Sequence, residues 1–307
     1  MEFQDLLLFR LKKDIILRNQ KSVRQMFFKH LEEKIFKVLM IGATAIILGV
    51  LLYIIGTVLY KGFPSLTIDM VTKLPGGGFY LGKEGGVLNA IIGSLYIIIG
   101  SLIISTIISV PLVMYINFYL PLNSMFSNII RFSLDILFGI PSIVYGAFGF
   151  ALMIYLGIRA SLLGGIITVA MLIMPVMMRS LDEVTRLLSR DLPDSLLSLG
   201  ATKYEMTKVI LRQLIPGLIT AVLLAVGRGI GDAATVLFTA GYTDNIPNSL
   251  SQPAATLPLS IFFQLGSPVE EVQNRAYASA IILTLIILIL SFSARYFSSK
   301  FSKHKIR

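Results

Sequence analysis

The 307-residue sequence has no cysteine, only two histidines and few charged side chains. Without cysteine there is no disulfide framework, no thiolate metal ligand and no redox centre. His30 and His304 stand far apart in basic segments, which argues against a histidine metal site. Charged residues make up 14% of the chain, against ~25% in a typical soluble domain, so an ordinary water-soluble globule is excluded. A working phosphate-binding loop is also missing. Residues 77–84, GGFYLGKE, have the glycine and lysine spacing of one. However, Glu84 stands where a magnesium-holding Ser or Thr is required, and the segment falls in a loop with no strand to aim it. Any ATP that powers this protein is therefore expected to be bound by another chain.

Apolar residues dominate instead. They form 55% of the sequence, with a mean hydropathy of +0.80. A bilayer core takes ~20 apolar residues per helix, and six runs reach that length: 36–60, 88–118, 128–157, 161–180, 216–240 and 276–297. They predict an all-α integral membrane protein with six transmembrane helices. Pro111, Pro141 and Pro175 lie inside these runs, where neighbouring helices can re-satisfy the freed backbone groups, and Pro141 with Ser142 predicts a bend in the third helix.

The net charge of +10 is unevenly spread. Lys and Arg concentrate before residue 38, between Arg179 and Arg212, and after Arg295, while the alternate loops hold Lys61, Lys73, Lys83, Arg159 and Arg275. Six spans put the three basic segments on one face, and the positive-inside rule makes that face cytoplasmic. The expectation is a multi-pass protein of the plasma or inner membrane with both termini in the cytoplasm. The same clustering explains the charge without nucleic acid. The leader is too long and too charged before its apolar run to be a cleavable signal. Its Leu6, Leu7, Leu8, Phe9, Leu11, Ile15 and Ile16 alternate with basic residues, as in a helix lying along lipid headgroups. The organisation read from this pattern is a leader over 1–35, a first transmembrane helix and outer loop over 36–84, a main transmembrane domain over 85–297 and a basic tail over 298–307.

The stretch GRGIGDAAT, residues 227–235, places Arg228 and Asp232 inside an apolar run. If that helix starts near Pro216, Arg228 lies about 18 Å along it, past the middle of a core ~30 Å thick. A charge there costs ~2.5–3.5 kcal/mol on insertion scales, so it faces a pathway or a partner. Residues four apart share a helical face, which lets each neutralise the other in part. The competing reading is a packing salt bridge, with Gly227 and Gly231 forming a small-residue helix contact. A guanidinium fork suits an anion with tetrahedral oxygens. Asp232 can steady that fork or keep a fully ionised anion transient, and monoprotonated phosphate, unlike sulfate at neutral pH, can donate a hydrogen bond to a carboxylate.

The basic loop over about 180–215 contains LPDSLLSLGATKYEMTKVILRQLIPG. Asp194 is placed to cap a short helix after Pro193, with Leu196, Leu197 and Leu199 as its apolar face. Gly200 permits a tight turn, and a second helix follows from about Thr202. Such a projecting pair implies something that docks there.

This loop resembles that of the permease subunits of ABC importers, which reads Glu-Ala-Ala, three residues, Gly, nine residues, Ile. Gly200 and Ile210 keep the end of that spacing, while Asp194, Ser195 and Leu196 occupy the Glu-Ala-Ala positions. Within that family the chain is most similar to the phosphate permeases over about 85–297. EGGVLNAIIGSL, IPSIVYG, MLIMPVMMRSLDE, LGATK and GRGIGDAATVLFTAG followed by QPAATLPLSIF carry the resemblance. Those permeases usually have Arg, two or three residues, then Gly-Glu-Thr-Ala in the fifth span; here the positions read Arg228, Gly231, Asp232, Ala233 and Ala234. Arg179 and Asp182 resemble their Arg and acid at the inner end of the fourth span, again with Asp for Glu. For Arg179 the competing reading is interfacial anchoring.

The resemblance implies the type I ABC importer permease fold and a non-catalytic subunit that forms half of the path of an ATP-driven inorganic phosphate importer. Arg228, Asp232, Arg179 and Asp182 would line the path. Asp194, Ser195, Leu196, Leu199, Gly200, Ala201 and Thr202 would form the loop that seats on an ATPase. The implied partners are a second homologous permease, an ABC ATPase dimer carrying ATP and magnesium, and an extracytoplasmic phosphate-binding protein, with no cofactor on this chain. The nearest alternative is an importer of another oxyanion, molybdate or sulfate. An ion-gradient-driven anion transporter is expected to show internal repeats, which are not evident, and a channel needs rings of pore-lining polar groups.

Overall fold

In the computed structural model we describe the backbone of residues 2–76, 84–121, 124–188 and 191–302, and within them the side chains of 32–76, 84–121, 124–188 and 192–296. The chain divides into two units, Met1–Thr57 and Val58–Arg307. The first unit belongs to α1 (Glu2–Gly62), one uninterrupted helix in a stretch without proline and with no glycine before Gly42. The leader and the first apolar run are thus one element. The leader's apolar set, Leu6 to Ile16, lies outside the described side chains. From Glu32 to Gly56 every residue is exposed, Ile46 and Leu52 each at 68%, and a helix apolar on all faces suits a lipid environment.

The second unit continues through a single turn (Phe63–Ser65), α2 (Ile68–Thr72) and a two-residue antiparallel hairpin, β1 (Pro75–Gly76) with β2 (Glu84–Gly85). Glu84 therefore sits in a strand; the rest of GGFYLGKE, 77–83, lies outside the described residues. Then follow α3 (Leu88–Met114), a π-helical turn (Tyr115–Tyr119), α4 (Met125–Gly139), α5 (Ser142–Tyr155), α6 (Leu162–Arg186), α7 (Asp191–Ser198), α8 (Lys203–Gly229), α9 (Leu257–Leu265) and α10 (Glu270–Ser302). Among the described residues, five helices are long and apolar enough to cross a membrane, and α4 with α5 makes a sixth span if the bent pair counts as one.

The bend expected at Pro141 is present: the third run is two helices of 15 and 14 residues, bent by 102°. At 1.5 Å per residue each is about 21–22 Å long, too short to cross alone. Ile140 is extended (φ −70°, ψ 131°), as the clash with the following Pro141 ring favours. One expectation about spans needs correction: the fifth run begins and ends earlier than predicted. α8 starts at Lys203, carries Pro216 inside it and stops at Gly229. Residues 230–240 form successive turns, because Gly227, Gly229 and Gly231 weaken the helix and the Asp232 carboxylate accepts the Thr235 backbone N–H at 2.9 Å.

The α6 helix runs through the centre of the second unit, with Val169, Leu172, Ile173 and Met177 fully buried. Hydroxyls and small residues let neighbours approach it, as is usual between helices in lipid. From α3, Ser101 Oγ donates to the Ile166 carbonyl (2.8 Å) and Ser105 Oγ to the Ala170 carbonyl (3.1 Å). From α8, Gly217 meets Val184, and Gly229 meets Ile173 and Val169. The start of α6 is capped by the Ser161 side chain and by carbonyls of the irregular segment that follows α8: Thr239, Gln252 and Leu250 accept the N–H groups of Ser161, Leu162 and Leu163. Irregular backbone is tolerated between apolar helices only where protein satisfies it, and Thr235, Val236, Thr239, Ala240, Ala254 and Ala255 are fully buried here.

A Cβ at Gly93 would overlap the Ala255 carbonyl of this segment, whereas one at Gly49 would meet open space. Gly93→Ala is expected to lower stability by ~1–3 kcal/mol, the size of an overpacking penalty, and Gly49→Ala, in the interior of α1, to hold or raise it by up to ~1 kcal/mol. Thermal unfolding of the purified protein in detergent checks both.

Candidate functional site

Arg228 lies in the last turn of α8, where the helix dipole favours a cation. Its guanidinium carbon stands 5.3 Å from the centroid of the Phe138 ring, at the end of α4. Arg179, from α6, stands 5.6 Å from the same centroid. The two arginines singled out in the sequence thus converge on one aromatic ring. Arg179 is neutralised by Asp135 of α4, through Nη1, and by Glu183 at 3.4 Å. Among the described residues, no carboxylate lies within ion-pair distance of Arg228.

Asp182 occupies a different environment. It is buried, and both carboxylate oxygens are taken. Oδ1 accepts from Asn117 Nδ2 (2.7 Å) and Arg131 Nη2 (3.2 Å); Oδ2 accepts from the Nε of Arg131 and of Arg186, each at 3.0 Å. Arg131 also donates to Asn117 Oδ1 (3.1 Å) and to the Ser127 hydroxyl. This network joins the π-helical turn, α4 and α6. Beside it is a cavity of about 160 Å³ lined by Arg131, Leu134, Asp135, Arg179, Asp182, Glu183 and Arg186.

Asp232 is not brought to Arg228. It lies beyond the helix end and caps the turn at Thr235, whose Oγ1 in turn donates to the Ser142 carbonyl at 3.3 Å. The expected shared face was wrong because α8 stops at Gly229, short of Gly231 and Asp232. Among the described residues a Cβ at Gly227 or Gly231 would meet nothing within 4 Å, and the close packing within the chain falls to Gly229. Arg228 therefore borders an open face of the second unit.

The projecting loop follows its sequence signals closely. α7 ends in a Schellman closure, with Gly200 N–H donating to the Leu197 carbonyl (3.0 Å), Ala201 N–H to the Leu196 carbonyl (3.1 Å), and Gly200 at φ +85°. Glycine is favoured there because a Cβ penalises the left-handed region. Thr202 and Glu205 form a reciprocal capping box at the start of α8. The helix begins at Asp191, so Asp194 and Ser195 fall within it instead of Asp194 capping its start. The apolar face also divides: Leu192 and Leu196 pack toward Met206, Ile210 and Leu214, while Leu197 and Leu199 point outward, Leu199 at 85% exposure.

Sequence reasoning passed over Arg131, Asp135, Phe138 and Asn117. The first three carry a legible signal: Arg131 and Asp135 are ionisable, lie four apart in an apolar run, and share a helical face with Phe138. Asn117 gave none, since only the fold carries it to Asp182.

Comparison with known proteins adds the wider context. The family described as binding-protein-dependent transport system inner membrane component matches residues 109–303. The phosphate transport system permease protein PstA of Haemophilus influenzae is 33% identical over 264 residues, covering 84% of this chain and 92% of that protein. PstA of Xylella fastidiosa is 32% identical, covering 78% and 83%. A chain of the MetNI methionine ABC transporter has a TM-score of 0.57 at 16% identity, over 70% of this chain and 95% of its own; that likeness is one of fold.

Removing one partner of a buried ion pair costs ~3–5 kcal/mol because the other charge is left unpaired, whereas an exposed pair is worth ~1 kcal/mol or less. Asp182→Ala is therefore expected to destabilise the protein severely and Asp135→Ala, at a side chain 56% exposed, only slightly. Thermal unfolding in detergent separates the two.

Proposed function

The chain belongs to the family of binding-protein-dependent transport system inner membrane components, and from that membership we propose that it is the permease subunit of an ATP-driven inorganic phosphate importer. The observation that carries the substrate is the similarity to phosphate permeases over most of both chains. The chain forms half of the translocation path and makes or breaks no covalent bond. A second, related permease forms the other half, an ATPase pair carries ATP and magnesium, and an extracytoplasmic binding protein delivers phosphate. The basic leader, the loop around α7 and the tail face the cytoplasm, in keeping with the positive-inside rule.

In this reading Arg228 is the anion-contacting group. Its planar fork makes paired charge-assisted hydrogen bonds to tetrahedral oxygens and stays protonated throughout the cycle. The open face at Gly227 and Gly231 leaves room for the second permease to close the path. Arg179, already paired with Asp135 and Glu183, supplies a weaker second charge, so the anion is held transiently. Asp232 contributes by shaping the turn beyond α8, and Asp182 by anchoring α4 to α6. The outward Leu197 and Leu199 of the loop meet the ATPase, and closure of the ATPase pair moves α7 and, through the contacts of Leu192 and Leu196, the base of α8.

Arg228→Gln, which keeps a hydrogen-bonding group but removes the charge and shortens the side chain, is expected to abolish ATP-driven phosphate uptake into proteoliposomes while the chain still co-purifies with its partners. Normal uptake by that variant contradicts the reading, and loss of assembly returns Arg228 to a packing role.

A further inference from the structure

We propose that Phe138 is a positioning residue, whose ring sets the spacing of the Arg179 and Arg228 guanidinium groups so that one oxyanion engages both. The inference rests on the reading of Arg228 as a path residue.

The two arginines come from different helices, α6 and α8, and neither touches the other's carboxylate partners among the described contacts. What they share is the ring, at 5.6 and 5.3 Å from its centroid. The face of an aromatic ring is negative by its quadrupole and attracts a cation held over it. Arg179 carries two carboxylates, Asp135 and Glu183, so the two arginines and two acids balance in number but not in place, and among the described residues Arg228 has no carboxylate within ion-pair distance. An oxyanion that reaches across the ring supplies the counter-charge missing at Arg228 and accepts from Arg179 N–H groups left over from its two ion pairs.

The ring is itself fixed. Phe138 occupies the last turn of α4, next to the break at Ile140 and Pro141. Tyr145 Oη, from α5, donates to the Leu137 carbonyl at 2.7 Å, pinning the turn that carries the ring. One turn and two turns earlier on the same helix, Asp135 and Arg131 are tied to α6. The ring is 41% exposed, so filling the core does not account for it.

The test replaces Phe138 with mono-, di- and trifluorophenylalanine, which weaken the ring quadrupole in steps while hardly changing its shape. The complete complex, with partner permease, ATPase and binding protein, is assayed for phosphate taken up per ATP hydrolysed. The expected result is a graded fall of about two- to fivefold across the series, the size of a cation–π contact at an exposed site, with Phe138→Tyr near the original. Uptake that stays flat across the fluorinated series, whatever Phe138→Leu does, leaves the ring only a shape and overturns the inference. Arg228→Gln runs in parallel. If it abolishes uptake while the series is flat, the importer reading stands without Phe138; if it transports normally, the underlying reading fails.

Discussion

Both oxygens of the buried Asp182 carboxylate are occupied by donors from three elements, the π-helical turn after α3, α4 and α6 itself. A carboxylate taken out of water loses several kcal/mol of hydration, and good geometry with its lone pairs filled is what offsets that cost. Asn117, Arg131 and Arg186 therefore have to arrive together, and with them the helices that carry them. Once Arg131 is fixed, the face of α4 is fixed as well, which brings Asp135 to Arg179 and puts the centroid of the Phe138 ring 5.6 and 5.3 Å from the guanidinium carbons of Arg179 and Arg228. The charges of the proposed path depend on a carboxylate that need never meet the anion.

The irregular segment between α8 and α9 supports the same arrangement from the other side. By ending at Gly229, α8 leaves Arg228 at a helix terminus, and the turns that follow use their carbonyls to cap α6 and their Thr235 hydroxyl to hold the start of α5. Close packing at Gly93, Gly217 and Gly229 and the Ser101 and Ser105 hydroxyls of α3, which donate to carbonyls of α6, let these pieces approach closely. The 102° break between α4 and α5 is bridged by Tyr145 Oη donating to the Leu137 carbonyl, and its α5 side is held by Thr235 Oγ1 donating to the Ser142 carbonyl.

Much of this was legible in the sequence where the signal is local. The apolar runs give the spans, Gly200 and the Thr202–Glu205 spacing give the projecting loop, and the motifs from Glu84 to Phe262 give the family. The end of the fifth span was misread because hydropathy continues through Ile230, Ala233 and Val236 while helix geometry does not. Hydropathy records which residues avoid water, and a buried irregular segment avoids it as well as a helix does. The expected pairing of Arg228 with Asp232 followed from that one error. The Asp182 network escaped notice for a different reason: Asn117, Arg131 and Asp182 are brought together by tertiary packing, and no sequence period links them.

The central claim is that this chain and its partners move phosphate through a path lined by Arg228, and the most direct measurement is ATP-driven uptake of radiolabelled phosphate into proteoliposomes holding the assembled complex, in the presence of excess sulfate or molybdate. Uptake that requires ATP and resists both competitors is the result expected. Uptake without ATP, or ATP-driven transport of only another anion, contradicts the account.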